Sequence, residues 1–598
     1  DNCEHLLAVA GELIAVLLDR CPNLVVLATS RAPLRIAGEQ VRHVGPLDLE
    51  TDAPALFAAR ATAVRPDFRL DPTAGVAVRE VCRALDGMPL AIELAAARLR
   101  SMTVSEVRDR LDQRFRLLRL DRGAQESRHA TLSAVVEWSY GLLGPRERSL
   151  LCELGVFAGG FDLAGAHAIR RADSELDDGG ENAVVPDELD TLDLLDTLVG
   201  QSLVEASTLD GRTRFSMLET LRQFASDQWN SAQRARLHVA HAAHFLEFAC
   251  RADSELGGAD QAKWLTRLEA EHDNLRAALA WAVGATGDRT VALRLTGALG
   301  LFWRIHSHFD EGHRWYAQTL SLDVADLGEQ GSVLRCWSLV GAGLLDYAHA
   351  DYELAQVRLV EAAELADAAD DQRAAGWARQ GQGRVQLEYR DFEWATSVLE
   401  ESISCFERVG DVRGRGYSLY FLGFIASFRG ERQRAEALMD EARAILETMG
   451  DTFGLIGVRY LRARNDAAVG QLSSAADGYA AVLVAAAQLS TRWMTSVALF
   501  GLADLAVKLQ RWPIAARLYR GAHDVCASFA GDPTRIGGES AQRRLETVRQ
   551  ALGTAAFEDR WAAGAVFGLE AAVTAGVDSA HALASGGDNP EAPTKDLG

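Results

Sequence analysis

Apolar residues recur at helical spacing along most of the chain, and this pattern predicts a mostly α fold. The first helical segment is Leu6–Leu18, which ends before Cys21-Pro22-Asn23. Leu24–Ala28 is a continuous apolar run bounded by polar residues, which is typical of a buried strand. Val41–Val44 is a second, shorter strand candidate, closed by Gly45-Pro46. A helix followed by a buried strand predicts a partial α/β domain at the start of a mostly helical chain.

A turn separates two further helical blocks, Thr73–Leu85 and Leu90–Leu99. Gly87 can end the first block in a left-handed conformation, and Pro89 suits the first turn of the second. These residues therefore have a structural explanation that needs no ligand.

Two features between residues 125 and 230 predict a winged-helix domain. Thr131–Leu143 is amphipathic and Pro145 opens another helix, while Asp210-Gly211 joins two short alternating runs. Asp-Gly between such runs predicts a β-hairpin, which would supply the wing. The acidic stretch Asp173–Glu188 has no apolar period, and we expect it to be a mobile insertion.

The later part of the chain contains a repeat of forty residues. Alanine, small residues and large apolar residues each recur in one register. These positions are Ala355, Ala395, Ala435, Ala475 and Ala515; Gly343, Gly383, Gly423, Ala463 and Ala503; and Leu359, Leu399, Met439, Tyr479 and Tyr519. Small residues let two helices approach closely, and the large residue four places after each alanine lies on the same helix face. The repeat predicts stacked helical hairpins, a tetratricopeptide-like α-solenoid, and the alternative is an alanine-rich helical domain without regular stacking.

Composition and net charge limit the classes of function that this chain can have. The chain has 598 residues, 48% hydrophobic and 24% charged, with a net charge of -22 and a pI near 5.2. Such a surface repels phosphate backbones, so we expect no direct DNA binding. No apolar run approaches the ~18 residues of a membrane span. Eight scattered cysteines without a C-x-x-C pair favour reduced thiols and a cytoplasmic location.

Three motifs in order resemble a known family. They are Asp1-Asn2-Cys3-Glu4-His5-Leu6, Ala28-Thr29-Ser30-Arg31 and Gly87-Met88-Pro89-Leu90-Ala91-Ile92-Glu93-Leu94-Ala95. Together they resemble the signal-transduction P-loop ATPases (STAND, or NB-ARC-like) at the core of LuxR-type and AfsR-type bacterial transcriptional regulators. The segment Glu269–Leu279 resembles the part of these regulators that opens their repeat region.

The resemblance implies roles for individual residues. It implies that Asp1 holds Mg²⁺, that Glu4 orients the attacking water, and that Thr29, Ser30 and Arg31 form the stretch that senses the terminal phosphate. In the same way it implies that Gly87 and Pro89 belong to the nucleotide site, with Pro89 on the adenine. Arg31 could equally be an ordinary solvated surface residue.

ATP or ADP with Mg²⁺ is therefore the cofactor that the resemblance implies. A phosphate-binding loop needs a glycine-rich turn followed by lysine. The chain has no match to Gly, four residues, then Gly-Lys-Ser or Gly-Lys-Thr. We expect a regulator that begins partway through its nucleotide-binding domain and is inactive as an enzyme by itself.

These inferences predict five segments and a regulatory function. The segments are the C-terminal part of an α/β nucleotide-binding domain (1–65), a helical lid (66–124), a winged-helix domain (125–232), tetratricopeptide-like repeats (233–570) and a disordered tail (571–598). We expect the solenoid to bind a protein or small-molecule effector and to relay this to a nucleotide switch that controls transcription, with possible homo-oligomers. The alternatives are a nucleotide-independent interaction scaffold and a fragment of an ATPase completed by an upstream segment.

Another candidate site consists of three histidines on one predicted helix, His238, His241 and His244. Their spacing of three turns the side chains progressively around the helix, so a metal site here is disfavoured.

Overall fold

The computed structural model describes most of the chain and divides it into two compact units. The described residues are 3, 6–21, 24–30, 33–42, 44, 46–85, 87–110, 136–137, 139–177, 186–530, 534–566 and 568–585. Unit 1 contains Asp1–Arg148 with Asp196–Val204, and unit 2 contains Ser149–Leu195 with Glu205–Gly598. The fold is mostly α, as predicted.

Helices account for nearly all regular structure. Those before the hairpin are α1 (Leu7–Arg20), α2 (Asp52–Val64), α3 (Pro72–Ala84), α4 (Pro89–Ala97), α5 (Pro145–Leu154), α6 (Leu163–Asp177) and α7 (Glu188–Gly200). The hairpin strands are β1 (Glu205–Leu209) and β2 (Arg212–Ser216). The helices that follow are α8 (Glu219–Asp227), α9 (Ser231–Glu255), α10 (Gln261–Ala270), α11 (His272–Ala282), α12 (Arg289–Ile305) and α13 (Phe309–Leu320). The repeat helices are α14 (Gly328–Ala348), α15 (Tyr352–Ala368), α16 (Gln372–Tyr389), α17 (Phe392–Val409), α18 (Val412–Phe428), α19 (Arg432–Met449), α20 (Thr452–Ala468), α21 (Leu472–Gln488), α22 (Arg492–Lys508) and α23 (Trp512–Ala530). The last helices are α24 (Thr534–Leu552), α25 (Thr554–Ala563) and α26 (Leu569–Ala584).

The predicted strands of the α/β segment are not formed in the described residues of unit 1. Leu24–Ala28 has no strand pairing, and Val25 and Leu27 are 90% and 94% exposed. The described residues of Val41–Val44 are likewise outside any strand. An apolar run becomes a buried strand only when neighbouring strands satisfy its backbone and helices cover it. Neither condition is met by the described residues around Leu24–Ala28.

The hairpin in unit 2 confirms the Asp-Gly prediction. β1 pairs antiparallel with β2 across Asp210 and Gly211, which both have positive φ, as a two-residue hairpin turn requires. The first strand lies further along the chain than the run Ser202–Ala206, and the second begins before the run Arg214–Met217. Phe161 and Phe215 exchange two backbone hydrogen bonds of 2.8 Å, which fix the hairpin against the start of α6. Whether the surrounding helices form a winged-helix domain stays a prediction.

The segment that resembles the start of the repeat region also holds the hairpin in place. Asn274 accepts from the backbone N–H of Ala158 and donates to the carbonyl of Gly160. Arg214 of β2 forms an ion pair with Glu271. Arg214 of β2 and Asn274 of α11 therefore both donate to the Gly160 carbonyl and hold the loop before α6 in place.

The forty-residue repeat forms helical hairpins in the predicted register. The recurring alanines are at most 1% exposed and the large residues at most 4%. A Cβ added to Gly343 would lie 2.6 Å from Leu359, and one added to Gly383 would lie 2.6 Å from Leu399. The helices of these two hairpins are thus too close for a side chain at the small position, whereas the later hairpins accommodate the alanines Ala463 and Ala503 there.

A second periodic feature, a ladder of aspartates, links successive repeats. Asp371, Asp411 and Asp451 each cap a helix through one carboxylate oxygen. The other oxygen accepts a hydrogen bond from an aromatic side chain one repeat earlier. The donors are Trp337, Trp377 and Tyr417 in that order.

Two segments differ from the sequence prediction because tertiary packing orders them. The acidic stretch is helical up to Asp177, where α6 ends, and residues 178–185 lie outside the described part. The chain from 571 to 584 is not disordered but belongs to α26. Gly576 lets this helix approach Leu483 and Leu499, and burial of such contacts offsets the ordering of an alanine-rich segment. Most of the remaining predicted tail, 586–598, lies outside the described residues.

Among the described helices, none combines the length and the apolar character that crossing a bilayer requires. The eight cysteines all lie in the described part, and no disulfide joins them.

Candidate functional site: an aromatic and arginine groove

The first helices of successive hairpins line one continuous groove, which we call the inner groove. It consists of two adjoining pockets with volumes of about 190 and 340 Å³. The pockets share six lining residues, Leu387, Glu388, Phe424, Tyr460, Arg464 and Val497. These volumes fall in or near the range of small-molecule sites, roughly 300–1,000 Å³.

The groove inherits its order from the repeat. Arg384, Phe424, Arg464 and Asp504 occupy the same position of α16, α18, α20 and α22, forty residues apart. Tyr420, Tyr460 and Phe500 form a second row four residues earlier in each helix, starting from α18. Equivalent positions of stacked helices face the same side, so both rows point into the groove.

Arg384 is held between two aromatic rings. Its guanidinium carbon lies 4.2 Å from the ring centre of Tyr347 and 5.2 Å from that of Phe421. The residue is only 5% exposed, and its Nε has no hydrogen-bond partner among the described residues. Stacking on ring faces stabilises the cation but leaves its N–H groups available to an acceptor.

Arg464 continues the row at the junction of the two pockets. Its guanidinium carbon lies 4.8 Å from the ring centre of Phe424 and 5.7 Å from that of Tyr460. Unlike Arg384 it is exposed, so its donors reach the open part of the groove.

The two stacked arginines are not in ion pairs, although a separate pair, Arg544 with Asp504, lies in the second pocket. No carboxylate of the described residues lies within ion-pair distance of Arg384 or Arg464. Behind the groove, burial lowers the pKa of Arg304 to about 10, and its Nε also lacks a partner in the described part. Glu388 and Asp504 are the acids of the groove, and Glu388 accepts a hydrogen bond from the Tyr347 hydroxyl at 3.2 Å.

This arrangement can bind an anionic group between aromatic surfaces. Planar guanidinium groups match carboxylates and phosphates in a bidentate geometry, and the rings add apolar contact area. The remainder of the protein is strongly acidic, so an anion is attracted here and repelled elsewhere.

The residues that the family resemblance singled out lie in unit 1, and the structure describes only some of them. Asp1, Glu4 and Arg31 lie outside the described residues. Thr29 and Ser30 are exposed, and the Cys3 N–H donates to the Thr29 carbonyl at 2.9 Å. The first and second motifs therefore meet through their backbones.

The third motif forms the turn that its residues predict. Gly87 has φ +67°, and a Cβ there would lie 2.5 Å from the carbonyl oxygen of Leu47. Pro89 is the first residue of α4 and is exposed. The structural explanation of the turn is confirmed, while an exposed proline ring is compatible with packing on a flat base. None of Thr29, Ser30 and Pro89 is the lysine, or belongs to the glycine-rich turn, that holds phosphates in a P-loop.

Sequence reasoning missed the groove residues, although the signal was present. The same forty-residue spacing relates the polar and aromatic positions of the groove, including the rows that contain Arg384 and Tyr420.

The other candidate, His238, His241 and His244, is explained by packing. His241 is 2% exposed, with its ring centre 5.7 Å from that of Phe157 and 4.6 Å from that of Phe245. Burial lowers the pKa of His241 to about 3. It is a neutral core residue.

Comparison with known proteins gives relatives in mycobacteria. No family model matches the chain. Over 320 residues it is 40% identical to proteins of Mycobacterium tuberculosis and Mycobacterium bovis named "Putative HTH-type transcriptional regulator", a match that covers 54% of this chain and 35% of the relative. Over 235 residues it is 40% identical to an uncharacterized protein of Mycobacterium tuberculosis, covering 39% of this chain and 57% of that protein. The matches thus span about a third and somewhat over half of the lengths of these relatives.

Two solved structures are similar in helical architecture. One is a signal transduction ATPase with numerous domains (STAND) and a tetratricopeptide repeat sensor from Pyrococcus horikoshii, with 13% identity, a TM-score of 0.43, and coverage of 90% of this chain and 78% of the other. The second is a Rap protein complexed with Competence and Sporulation Factor, with 12% identity, a TM-score of 0.38, and coverage of 61% and 93%. TM-scores this low carry no inference about this chain.

Proposed function

We propose that this chain is the sensor part of a transcriptional regulator and that a small anionic effector binds in its inner groove. The observation that carries the proposal is the pair of arginines, Arg384 and Arg464, which stack on aromatic rings without ion-pair partners among the described residues, in a protein with a net charge of -22. The relatives named as transcriptional regulators support the regulatory part of the proposal.

Arginine without a carboxylate partner beside aromatic rings is poorly explained by stability alone. Buried cations are normally paired, and an unpaired buried donor costs about 1–3 kcal/mol. Binding energy from an anionic ligand offsets this cost only in the bound state. The groove is therefore suited to a ligand that bears a carboxylate or phosphate and an apolar body.

The test uses the purified full chain and a panel of aromatic carboxylates, sugar phosphates and short acidic peptides. A binder should raise the thermal unfolding midpoint, because a ligand at 100 times its Kd stabilises by about 2.7 kcal/mol. Arg464→Ala should weaken binding by about 2 kcal/mol, or roughly 30-fold in Kd, since a hydrogen bond to a charged group is lost.

Arg462→Ala is the matched control. Arg462 lies two residues away on α20, is 55% exposed and faces Asp440 at 3.4 Å outside the groove. Binding that is weakened equally by both substitutions, or by neither, would contradict the groove assignment.

We also propose that the sensor acts on a nucleotide switch, as the motifs at residues 1–95 imply. Asp1, Glu4, Thr29, Ser30, Arg31, Gly87 and Pro89 are the predicted residues, with ATP or ADP and Mg²⁺ as predicted cofactor. Calorimetric titration of the chain with each nucleotide and Mg²⁺ tests this part. Binding that is lost in Arg31→Ala supports the switch, and absence of binding favours the nucleotide-independent scaffold or the need for a further segment.

A further inference from the structure

A cluster of imidazole and carboxylate groups lies where α10, α11 and the turn between α12 and α13 meet. Glu269 Oε2 is 2.8 Å from His306 Nδ1 and 3.1 Å from His308 Nε2. All three potential ligand atoms lie within 4.8 Å of one another. His272 is adjacent, with Nδ1 3.8 Å from the other oxygen of Glu269.

The backbone fixes both histidines of the turn. Ser307, between them, has φ +62°, and its Oγ accepts a hydrogen bond from the Trp493 N–H at 3.1 Å. The His308 N–H donates to the carbonyl of Trp303 at 2.8 Å. The His306 and His308 side chains are only 13% and 24% exposed. Two imidazoles are therefore held on the same carboxylate before any ligand binds.

His272 has the surroundings of a metal-bound histidine. Its side chain is 7% exposed, and its Nε2 lies 3.1 Å from Glu311 Oε1. Glu311 is in turn held by Arg276. A carboxylate beside the ring nitrogen that does not bind metal fixes the tautomer and directs the other nitrogen to the ion.

We propose that Glu269, His306 and His308 bind a zinc ion, with the buried His272 beside them. Imidazole nitrogens with one carboxylate suit Zn²⁺, whereas Ca²⁺ and Mg²⁺ prefer oxygen ligands. Metal–ligand distances of about 2.0–2.1 Å in a tetrahedral site place ligand atoms about 3.3 Å apart. The distances of 2.8 and 3.1 Å from Glu269 are within a few tenths of an ångström of this spacing.

The site joins segments that are distant in the sequence. It would tie α10 and α11 to the α12–α13 turn, and Ser307 of this turn is bonded to Trp493, which also lines the inner groove. A bound ion would thus stabilise the packing of α10 and α11 against the α12–α13 turn.

The test is a calorimetric titration of the chelator-treated full chain with Zn²⁺, repeated with Co²⁺ while recording its visible absorption. We expect one equivalent to bind, a tetrahedral Co²⁺ spectrum, and a thermal midpoint that rises with Zn²⁺. His306→Gln and His308→Gln should each weaken binding by at least about tenfold, a loss already seen for outer-shell partners. Glu269→Gln, which keeps the shape of the side chain, should do the same.

His581→Gln is the control, because His581 is exposed on α26. Circular dichroism of each metal-free variant reports whether it folds. The proposal is overturned if the chain takes up no Zn²⁺, if the cluster variants bind it as well as the unsubstituted protein, or if His581→Gln weakens binding equally. In those cases the cluster is a hydrogen-bond network only.

Discussion

Replacing the ladder aspartates one at a time should destabilise the solenoid by increasing amounts along the chain. Asp371, Asp411 and Asp451 cap their helices in the same way, with distances of 2.8–3.0 Å to the capped N–H. They differ in their ion pairs, since Asp411 pairs with Arg373 and Asp451 pairs with Arg413. The series therefore separates the effect of the cap from the effect of the ion pair.

The expected magnitudes follow from the partners. Asp371→Ala removes a cap and a hydrogen bond from the Trp337 indole, each worth about 1 kcal/mol. Asp411→Ala also removes an ion pair to Arg373, which is 59% exposed, so the addition is at most about 1 kcal/mol.

Asp451→Ala should have the largest effect. Asp451 is fully buried and accepts from Arg413 Nε at 2.8 Å, from the Tyr417 hydroxyl at 3.2 Å and from Gln261 at 3.2 Å. Removing one partner of a buried pair leaves an uncompensated charge and costs about 3–5 kcal/mol beyond the cap. The loss should exceed that of Asp371→Ala by at least about 2 kcal/mol.

Urea unfolding of the full chain, followed by circular dichroism, measures the three losses. Hydrogen exchange of peptides from the first turns of α16, α18 and α20 shows where each loss of stability occurs, because removing a cap should first raise exchange in the first turn of the capped helix. Equal losses for Asp371→Ala and Asp451→Ala would refute the assignment of the larger effect to the buried pair with Arg413.

Three further predictions test packing and buried charge. Burial raises the pKa of Asp253 to about 6, above the ordinary 3.8. Ionisation of Asp253 therefore opposes folding above pH 6, and this effect disappears as the pH falls towards 4. In urea unfolding, Asp253→Asn should stabilise the protein by up to about 3 kcal/mol at pH 7.5 and by almost nothing at pH 4. Burial lowers the pKa of His241 to about 3, so below pH 6.5 the unfolded state binds a proton that the folded state does not. His241→Phe should therefore reduce the loss of thermal stability between pH 6.5 and pH 5. An unchanged pH dependence of the thermal midpoint would contradict this. Gly383→Ala should lower the thermal midpoint, because the added Cβ would lie 2.6 Å from Leu399. Gly297→Ala should raise the thermal midpoint through helix propensity, because the nearest atom there is 3.7 Å away. Equal shifts of the midpoint would show that close helix approach does not cause the loss at Gly383.

The repeat was predictable because its signal is local and periodic. Gly383 and Leu399 lie on adjacent helices of one hairpin, and their types alone indicate close approach. The Asp210-Gly211 turn was predictable for a similar reason, since positive φ at two consecutive positions restricts the residue types. In both places one conformation is favoured by neighbours within a few dozen residues.

The apolar run at Leu24–Ala28 was not predictable in this way. Its composition favours a strand, but a strand is buried only if others pair with it, and Val25 and Leu27 are exposed in the structure. The helix α26 shows the converse, because an alanine-rich segment became ordered through contacts of Gly576 with Leu483 and Leu499, which lie 93 and 77 residues earlier.

The sequence by itself determined the helical character of the chain, the forty-residue register and the position of the hairpin, because these depend on local spacing and backbone preference. Only the tertiary structure brought Arg384 beside Tyr347 and Phe421, or joined Glu269 to His306 and His308. Burial, charge compensation and ligand geometry depend on which helices become neighbours, and that choice is made by packing over the whole solenoid.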